Sequence, residues 1–100
     1  MNIYVDIDNT IAVTKGMDYE ESKPMANRIK IINKLYNEGN KITYWTGRGT
    51  VSGIDWYDLT KKQLKKWGAK HHKLLLGKPP YDIFIDDKSF NSENYFNSTQ

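Results

Sequence analysis

Near its N-terminus the chain carries an apolar run that ends in two acids, Ile3-Tyr4-Val5-Asp6-Ile7-Asp8-Asn9-Thr10. Residues 3–5 predict a short buried strand. Side chains alternate between the two faces of a strand, so we expect Asp6 and Asp8 on one side and Ile7 on the other. Two carboxylates this close repel each other, and desolvation adds to the cost. A fold tolerates such a pair when the two acids bind a cation, share a proton or take part in a reaction. The alternative is an Asx turn that closes the strand and leaves both acids in solvent.

Length and composition limit the class of protein. One hundred residues predict a single domain, residues 1–100, with one modest core. The net charge of +3 suits an anionic substrate but does not single out nucleic acid. The absence of cysteine excludes disulfides, thiolate nucleophiles and Cys-ligated metals. No apolar run approaches the roughly 20 residues of a membrane helix. With no signal peptide evident, we expect a cytoplasmic protein without a membrane partner.

Helix and strand patterns alternate along the rest of the chain. Residues 11–23 are polar and mixed, which predicts a small flap or hairpin too short to cover a substrate as a separate domain. A helix is predicted to begin at Ser22-Lys23-Pro24 and to end at Gly39. Its predicted apolar face consists of Ile29, Ile32, Leu35 and Tyr36. The other predicted elements are strands at 41–45, 73–76 and 81–85, a helix over 54–67 and a last short helix that includes Tyr95 and Phe96.

Strands that alternate with helices predict right-handed βαβ units and a parallel sheet that is covered on both faces. We expect the strand order 4-1-2-3, in which the first strand is central. In such sheets the ligand lies beyond the carboxyl ends of the strands. The polar residues next to the predicted strands fall at that edge, and they are Asp6, Asp8, Thr46, Lys78, Asp86 and Asp87.

In this order, these residues resemble the four signature motifs of the haloacid dehalogenase (HAD) superfamily of phosphohydrolases. Residues 6–10 match its Asp-x-Asp-x-Thr first motif, Thr46 matches the second and Lys78 the third. Asp86 and Asp87, which follow an apolar run, match the fourth. The resemblance covers residues 3–88 and implies a three-layer, Rossmann-like HAD fold without a cap. It is strongest to short capless members, some of which are described as capsule or surface-polysaccharide biosynthesis phosphatases.

The resemblance implies a phosphatase that works through an aspartyl-phosphate intermediate. Asp6 would be the nucleophile, and Asp8 would act first as general acid and then as general base. Thr46 and the Gly47 amide would bind the oxygens of the transferring phosphoryl group, and Lys78 would neutralise its charge. The expected substrate is a small phosphorylated metabolite such as a sugar or polyol phosphate.

The resemblance also implies Mg²⁺ as cofactor, a cation that prefers oxygen ligands in near-octahedral geometry. The expected ligands are Asp6, the backbone carbonyl of Asp8, and Asp86, while Asp87 would bind directly or through water. Arg48 suits a second anionic group of the substrate because its guanidinium makes bidentate contacts, and a surface ion pair is the alternative.

Other functions stay open beside this one. We expect the lysines of the second predicted helix to form a solvated face. A capless site leaves room for a polymer and this basic face would help to bind it, so a 3′-phosphatase on nucleic-acid ends is one alternative. A non-catalytic binding protein with the HAD fold is another. A signalling receiver domain is disfavoured. It carries its phosphorylated acid in mid-chain, where this chain has Thr46. An open site also leaves room for a homo-oligomer whose second copy supplies substrate walls.

Overall fold

The protein has an α/β fold built around a small parallel sheet, and the computed structural model describes residues 1–99. Its elements in chain order are β1 (Asn2–Val5), β2 (Ala12–Val13), a 3₁₀ helix (Tyr19–Glu21), β3 (Lys23–Pro24), α1 (Ala26–Asn37), β4 (Lys41–Trp45), α2 (Tyr57–Lys66), β5 (Lys73–Leu75) and α3 (Ser92–Thr99). Strands β1, β4 and β5 form the parallel sheet in the order β1-β4-β5, and β2 pairs with β3 in a separate two-stranded sheet.

The register of the parallel sheet sets Val5 of β1 beside Tyr44 of β4, and Tyr44 beside Leu74 of β5. The first three predicted strands are therefore neighbours in the relative order 1-2-3. The fourth predicted strand, at 81–85, is not part of the sheet, so the predicted order 4-1-2-3 is not found among residues 1–99. As a result β1 is an edge strand rather than a central one.

The core lies on one face of the parallel sheet. Val5 and Tyr44 point to this face and pack with side chains from all three helices. The helix residues of this cluster are Ile29, Ile32, Leu64 and Phe96. On the opposite face Tyr4 is 60% and Leu75 39% exposed. The predicted cover on both faces is therefore wrong for the described residues, because two successive right-handed units that advance in one direction place both helices on the same side.

The predicted apolar face of the first helix is confirmed, and both helices begin later than predicted. Helix α1 begins at Ala26, because Pro24 lies in β3 opposite Ala12 instead of in the first helical turn. Helix α2 begins at Tyr57, whose backbone N–H donates to Asp55 Oδ1 at 2.9 Å. The lysines of α2 are exposed, as predicted.

Among the described residues, none of the helices combines the length and the apolar composition needed to span a membrane.

Residues 81–87, named here the acidic arm, have no regular structure, although residues 81–85 were predicted to be a buried strand. Ile83 and Ile85 are 78% and 93% exposed. The position of Lys78, three residues before the arm, explains the absence of this strand. The backbone N–H of Lys78 donates to the carbonyl of Thr46 at 3.1 Å. The arm therefore departs from the carboxyl end of β4, which is the end at which a parallel strand has to finish.

Candidate active site

The two acids after β1 face the same cleft because the chain turns sharply behind them. Ile7 is fully buried in the core, so Asp6 and Asp8 point the opposite way, as the strand alternation predicts. The Ile7 carbonyl accepts N–H groups from the three residues at positions 10–12. Asn9 adopts a left-handed conformation with φ of 60°, which Asn tolerates better than most residues. The turn therefore fixes both carboxylates at the carboxyl end of the sheet.

Asp8 is held by a buried arginine. Arg48 Nη2 lies 2.8 Å from Asp8 Oδ1, and Arg48 Nε lies 3.0 Å from Asp8 Oδ2. The Thr14 hydroxyl donates to Asp8 Oδ1 at 2.6 Å. Both oxygens of this carboxylate are thus oriented by protein donors, and a bidentate pair fixes the carboxylate plane as well as its position.

Arg48 itself is enclosed by polar groups and an aromatic ring. Its Nη1 donates to Thr60 Oγ1 at 3.0 Å and to Gln63 Oε1 at 2.6 Å, and both partners lie on α2. The guanidinium lies over the ring of Tyr19, 4.8 Å from its centroid. Burial and the negative charge of Asp8 raise the pKa of Tyr19, and Arg48 opposes this shift. Arg48 lines the cleft, but its N–H groups are used within the protein, so its predicted contact with a substrate anion stays a prediction of the sequence.

Asp6 faces a second cation, Lys78. Lys78 Nζ lies 3.6 Å from Asp6 Oδ1, and the Thr10 hydroxyl donates to Asp6 Oδ2 at 3.3 Å. The ammonium also lies 5.8 Å from the ring centroid of Trp45 and 5.4 Å from that of Tyr81, within the range of cation–π attraction. The predicted proximity of Lys78 to the acids after β1 is therefore present in the structure.

The electrostatics of Asp6 reflect its position in the cleft. Burial raises the pKa of Asp6 above its ordinary value, and the negative charge of Asp8 adds to the rise. Lys78, the backbone N–H of Ile7 and the Thr10 hydroxyl act in the opposite direction without cancelling it. The free carboxylate is consequently less well stabilised than in water, which suits a group that reacts.

The loop after β4 supplies the opposite wall of the cleft. Thr46 is 1% exposed, and its hydroxyl accepts the backbone N–H of Arg48 at 3.2 Å, which tightens the turn. A side chain at Gly47 would come within 3.1 Å of the Lys78 carbonyl, so a glycine lets the two loops approach. Gly49 has φ of 81°, and a Cβ there would overlap the Ile54 carbonyl at 2.1 Å. Predicted phosphate-binding residues Thr46 and Gly47 thus line the same cleft as both acids.

The cleft has a volume of about 250 Å³ and is open on one side. Its lining consists of Asp6, Asp8, Gly16, Tyr19, Thr46, Gly47, Arg48, Lys78, Pro79 and Pro80. This volume accommodates a phosphoryl group and a few attached atoms, and the rest of a substrate would extend outward into solvent.

The structure does not bring Asp86 and Asp87 into the cleft. Both are exposed, and Asp86 Oδ2 accepts the backbone N–H of Lys88 at 3.2 Å. Within residues 1–99, no three His, Cys, Asp or Glu side chains are grouped so that they could hold a metal ion. The predicted meeting of four acids at one edge is therefore not found, because the acidic arm does not join the sheet. The predicted roles of Asp86 and Asp87 as metal ligands stay predictions.

Residues 1–99, in this arrangement, do not offer a fitting Mg²⁺ site. Mg²⁺ binds oxygen ligands in a near-octahedral shell, so the ligand oxygens must not already be occupied by other cations. Asp8 has both oxygens in contact with Arg48, and Asp6 faces the ammonium of Lys78. The two carboxylates are balanced by protein cations instead of converging on a common point with a third acid.

Several residues that shape the site were not predicted from the sequence. They are Thr14 and Tyr19 of the flap, and Thr60 and Gln63 of α2. A signal was present on α2, because Thr60 and Gln63 are polar side chains one turn apart on a face that also carries Leu64. Polar groups on a core-facing stripe indicate a buried partner that needs hydrogen bonds.

Comparison with known proteins shows similarity of fold. No family model matches the chain, and no curated protein does. A crystal structure of a structural-genomics target from Vibrio cholerae superposes with a TM-score of 0.85 at 22% identity, over 95% of this chain and 86% of that one. At this identity the likeness establishes the three-dimensional arrangement and leaves the activity open.

Two further solved structures contain a similar unit within much longer chains. Both are structures of a Pnkp1/Rnl/Hen1 complex, one of them described as an RNA repair complex. The TM-score is 0.61 in each case, with 17% and 13% identity over 86% and 98% of this chain. The chain corresponds to 30% of those longer chains, so the similarity concerns one part of them.

Proposed function

We propose that this chain is a phosphomonoesterase of the HAD type that hydrolyses a small phosphorylated metabolite. The observation that carries the proposal is the arrangement of one cleft. It holds two neighbouring acids, each fixed by a different cation, beside a buried Thr and a glycine amide. Such a set of donors and acceptors suits a transferring phosphoryl group, whose charge is spread over several oxygens.

In the proposed reaction Asp6 is the nucleophile. An Asp6 carboxylate oxygen attacks phosphorus in line, a new O–P bond forms, and the bond from phosphorus to the ester oxygen breaks. Asp8 enters this step protonated and gives its proton to the departing oxygen, which leaves as an alcohol. The burial that raises the pKa of Asp6 leaves its carboxylate poorly solvated, so less hydration is lost when it attacks.

In the second half of the proposed reaction Asp8 acts as a base. It takes a proton from a water molecule, and the water oxygen attacks the phosphorus of the aspartyl-phosphate. The bond from phosphorus to Asp6 then breaks and inorganic phosphate is released. Arg48 keeps the Asp8 carboxylate in one orientation through both proton transfers, and Lys78 neutralises charge on the phosphoryl oxygens.

The decisive experiment is a phosphate-release screen over sugar, polyol and nucleotide phosphates, with Mg²⁺ present and in chelator. We expect turnover of at least one small ester by the wild-type chain and none by Asp6→Asn, with unchanged circular dichroism. Equal turnover by both would contradict Asp6 as nucleophile. A folded wild-type chain that releases phosphate from no ester would favour the non-catalytic binding protein.

A 3′-phosphatase on nucleic-acid ends is the second candidate, and two observations favour it. The fold resembles part of an RNA repair complex, and the exposed face of α2 carries the lysines Lys61, Lys62, Lys65 and Lys66. Binding of a nucleic-acid backbone releases counterions, so its affinity falls steeply with salt. A steep salt dependence of turnover on an oligonucleotide 3′-phosphate, with none on a sugar phosphate, would select this candidate.

A further inference from the structure

A largely buried arginine near the start of α1 lies outside the lining of the cleft. Arg28 is the third residue of this helix, and its side chain is 12% exposed. The first turn of α1 carries no acid, so the arginine's charge stands at the positive end of the helix dipole without a neighbouring anion on its own helix. A cation in such a place costs free energy unless other groups accept its N–H donors. The groups that accept them connect Arg28 to the candidate active site.

The first partner of Arg28 is the turn that carries the two acids. Arg28 Nη1 donates to the Thr10 carbonyl at 3.1 Å, and the hydroxyl of the same threonine donates to Asp6 Oδ2 at 3.3 Å. The next residue of the turn is joined to the helix as well, since the Ile11 carbonyl accepts the backbone N–H of Met25 at 2.8 Å. Two successive carbonyls of the turn are therefore fixed to the N-terminal end of α1.

The second partner of Arg28 is α3. Arg28 Nη2 donates to Glu93 Oε1 at 2.8 Å, and the guanidinium lies over the ring of Phe96, 4.9 Å from its centroid. Phe96 is 2% exposed and belongs to the core, so its ring has a fixed place. Glu93 lies in the first turn of α3, where the helix dipole favours its negative charge. Helix α3 thus holds the same guanidinium that holds the turn.

These contacts form one path from α3 to the carboxylate of Asp6. Because Arg28 does not line the cleft, it acts on the reacting atoms through Thr10. We propose that Arg28 is a positioning residue that fixes the acid-bearing turn for catalysis, and that Glu93 of α3 keeps Arg28 in place. The catalytic part of this role rests on the proposed function, whereas the hold on the turn does not.

A fixed Thr10 carbonyl also fixes the Thr10 hydroxyl. Both groups belong to one residue, so a backbone that cannot rotate keeps the hydroxyl on Asp6 Oδ2. Lys78 lies beside the other oxygen, Oδ1, and each oxygen of the nucleophile therefore has its own partner. Displacement of a reacting group by about 1 Å costs about 100-fold in rate. Release of the carbonyl should slow the attack by Asp6 and leave substrate binding at Thr46 and Gly47 nearly unchanged.

A purely structural joint between α1 and α3 is the alternative role of Arg28. Loss of such a joint would lower the stability of the whole fold, but it would not open the turn selectively or change kcat of the folded protein. A fall in stability alone does not separate the two roles, because both predict it. Hydrogen exchange in the turn and the division of the effect between kcat and KM do separate them.

The first test is residue-level hydrogen exchange by NMR, without substrate. The N–H groups of residues 10–12 all donate to the Ile7 carbonyl, so their exchange reports whether the turn is closed. We expect Arg28→Met to speed exchange at residues 10–12 by about 5- to 10-fold and to leave β4 at the wild-type rate. Glu93→Gln should have a smaller effect at the same residues. Lys30→Met, at an exposed position of the same helix, is the matched control and should exchange as the wild type does.

Unchanged exchange at residues 10–12 in Arg28→Met would overturn the proposed role, and so would an equal rise in β4, which indicates a loss of global stability. If Arg28→Met does not fold, Glu93→Gln decides by the same two criteria, because its substitution is at a side chain that is 66% exposed.

The second test is steady-state kinetics on the best ester from the phosphate-release screen. We expect Arg28→Met to lower kcat by about 10- to 100-fold with KM nearly unchanged. Arg28→Lys keeps a donor for the Thr10 carbonyl, so its kcat should lie between those of Arg28→Met and the wild type. Lys30→Met should have the wild-type kcat. A wild-type kcat in Arg28→Met, or a rise in KM alone, would overturn the positioning role.

The two tests together separate this role from the proposed function. If the turn opens in Arg28→Met but the wild-type chain releases phosphate from no ester, the hold of Arg28 on the turn is supported and the phosphatase is contradicted. If the wild-type chain is active and Arg28→Met is equally active, the phosphatase is supported and the positioning role is overturned.

Discussion

Arg48 and Asp8 form a bidentate ion pair that joins the loop after β4 to the turn after β1. Arg48 Nη2 lies 2.8 Å from Asp8 Oδ1 and Nε lies 3.0 Å from Oδ2, and the arginine side chain has no exposed surface. Because Thr60 and Gln63 take its remaining Nη1, the guanidinium also ties α2 to the site. The pair is thus a structural joint and, in the proposed reaction, the device that orients the acid–base group.

Loss of this joint should destabilise the fold. Arg48→Ala leaves the Asp8 carboxylate and the buried oxygens of Thr60 and Gln63 without their donor, and removal of one partner from a buried pair costs about 3 kcal/mol or more. We expect a fall of that size in the free energy of unfolding, measured by urea denaturation. The control is Glu93→Gln, which breaks the exposed pair with Arg28 and should change stability by about 0.5 kcal/mol or less.

Replacement of Arg48 by lysine tests whether the arginine acts by orienting the Asp8 carboxylate or only by its positive charge. Arg48→Lys keeps a cation beside Asp8 but removes the planar fork that fixes its carboxylate. We expect kcat to fall by about 10- to 100-fold with KM nearly unchanged, because misplacement of a reacting group affects the transition state more than binding. Steady-state kinetics on the best ester from the screen measures this. A rise in KM at constant kcat would instead indicate that Arg48 contacts the substrate.

The burial of Asp6 predicts a dependence of stability on pH. Burial raises its pKa in the folded protein above the unfolded value, so ionisation costs stability as pH rises from the ordinary carboxyl range through the raised pKa. Below the ordinary value Asp6 is protonated in both states and contributes nothing. We therefore expect Asp6→Asn to be more stable than wild type at pH 7, and the difference to disappear near about pH 3.

This comparison is made by denaturant unfolding at the two pH values, with Glu20→Gln as the control. Glu20 is exposed and outside the cleft, so its variant should follow the wild type at both values. An Asp6→Asn protein that is less stable than wild type at pH 7 would mean that the pair with Lys78 outweighs the cost of burial.

Much of the site follows from the sequence because it depends on local rules. Strand alternation predicts that Asp6 and Asp8 share a side, and βαβ order predicts that Thr46 comes to the same edge. The partner of Arg48 was not predictable in the same way. Its ion pair joins residues 40 positions apart, and nothing in a single sequence specifies which of several acids a buried arginine meets.

The acidic arm shows where local rules stop. The run Ile83-Phe84-Ile85 has the composition of a buried strand, but burial also requires an unpaired edge within reach of the chain. The connection from Lys78 to the arm contains only Pro79 and Pro80 before Tyr81, and its length restricts the edges that the arm can reach. Composition predicted the strand, and the hydrogen bond from the Lys78 N–H to the Thr46 carbonyl holds the start of the arm at the carboxyl end of the sheet.

The turn after β4 should tolerate no side chain at Gly49. Its φ of 81° is left-handed, and a Cβ would overlap the Ile54 carbonyl at 2.1 Å. Gly53 is the matched control, because its φ of 76° is also left-handed but a Cβ there meets nothing within 4 Å. Gly53→Ala should cost about 1 kcal/mol for the backbone conformation alone, and Gly49→Ala should cost about 1–3 kcal/mol more. Equal losses in urea denaturation would mean that the loop shifts to make room.

Tyr44 offers a way to stabilise the fold without touching the cleft. Its ring is fully buried, and among the described residues its hydroxyl has no hydrogen-bond partner. Burial also raises the pKa of this hydroxyl, so it is neutral at any ordinary pH. A buried polar group without a partner costs about 1–3 kcal/mol, and Tyr44→Phe removes that cost while keeping the ring.

We expect the free energy of unfolding of Tyr44→Phe to be higher than that of wild type by about 1 kcal/mol, measured by urea denaturation. Tyr57→Phe, at a 40% exposed position, should leave it unchanged. A loss of stability in Tyr44→Phe would indicate that the hydroxyl has a bound water as its partner.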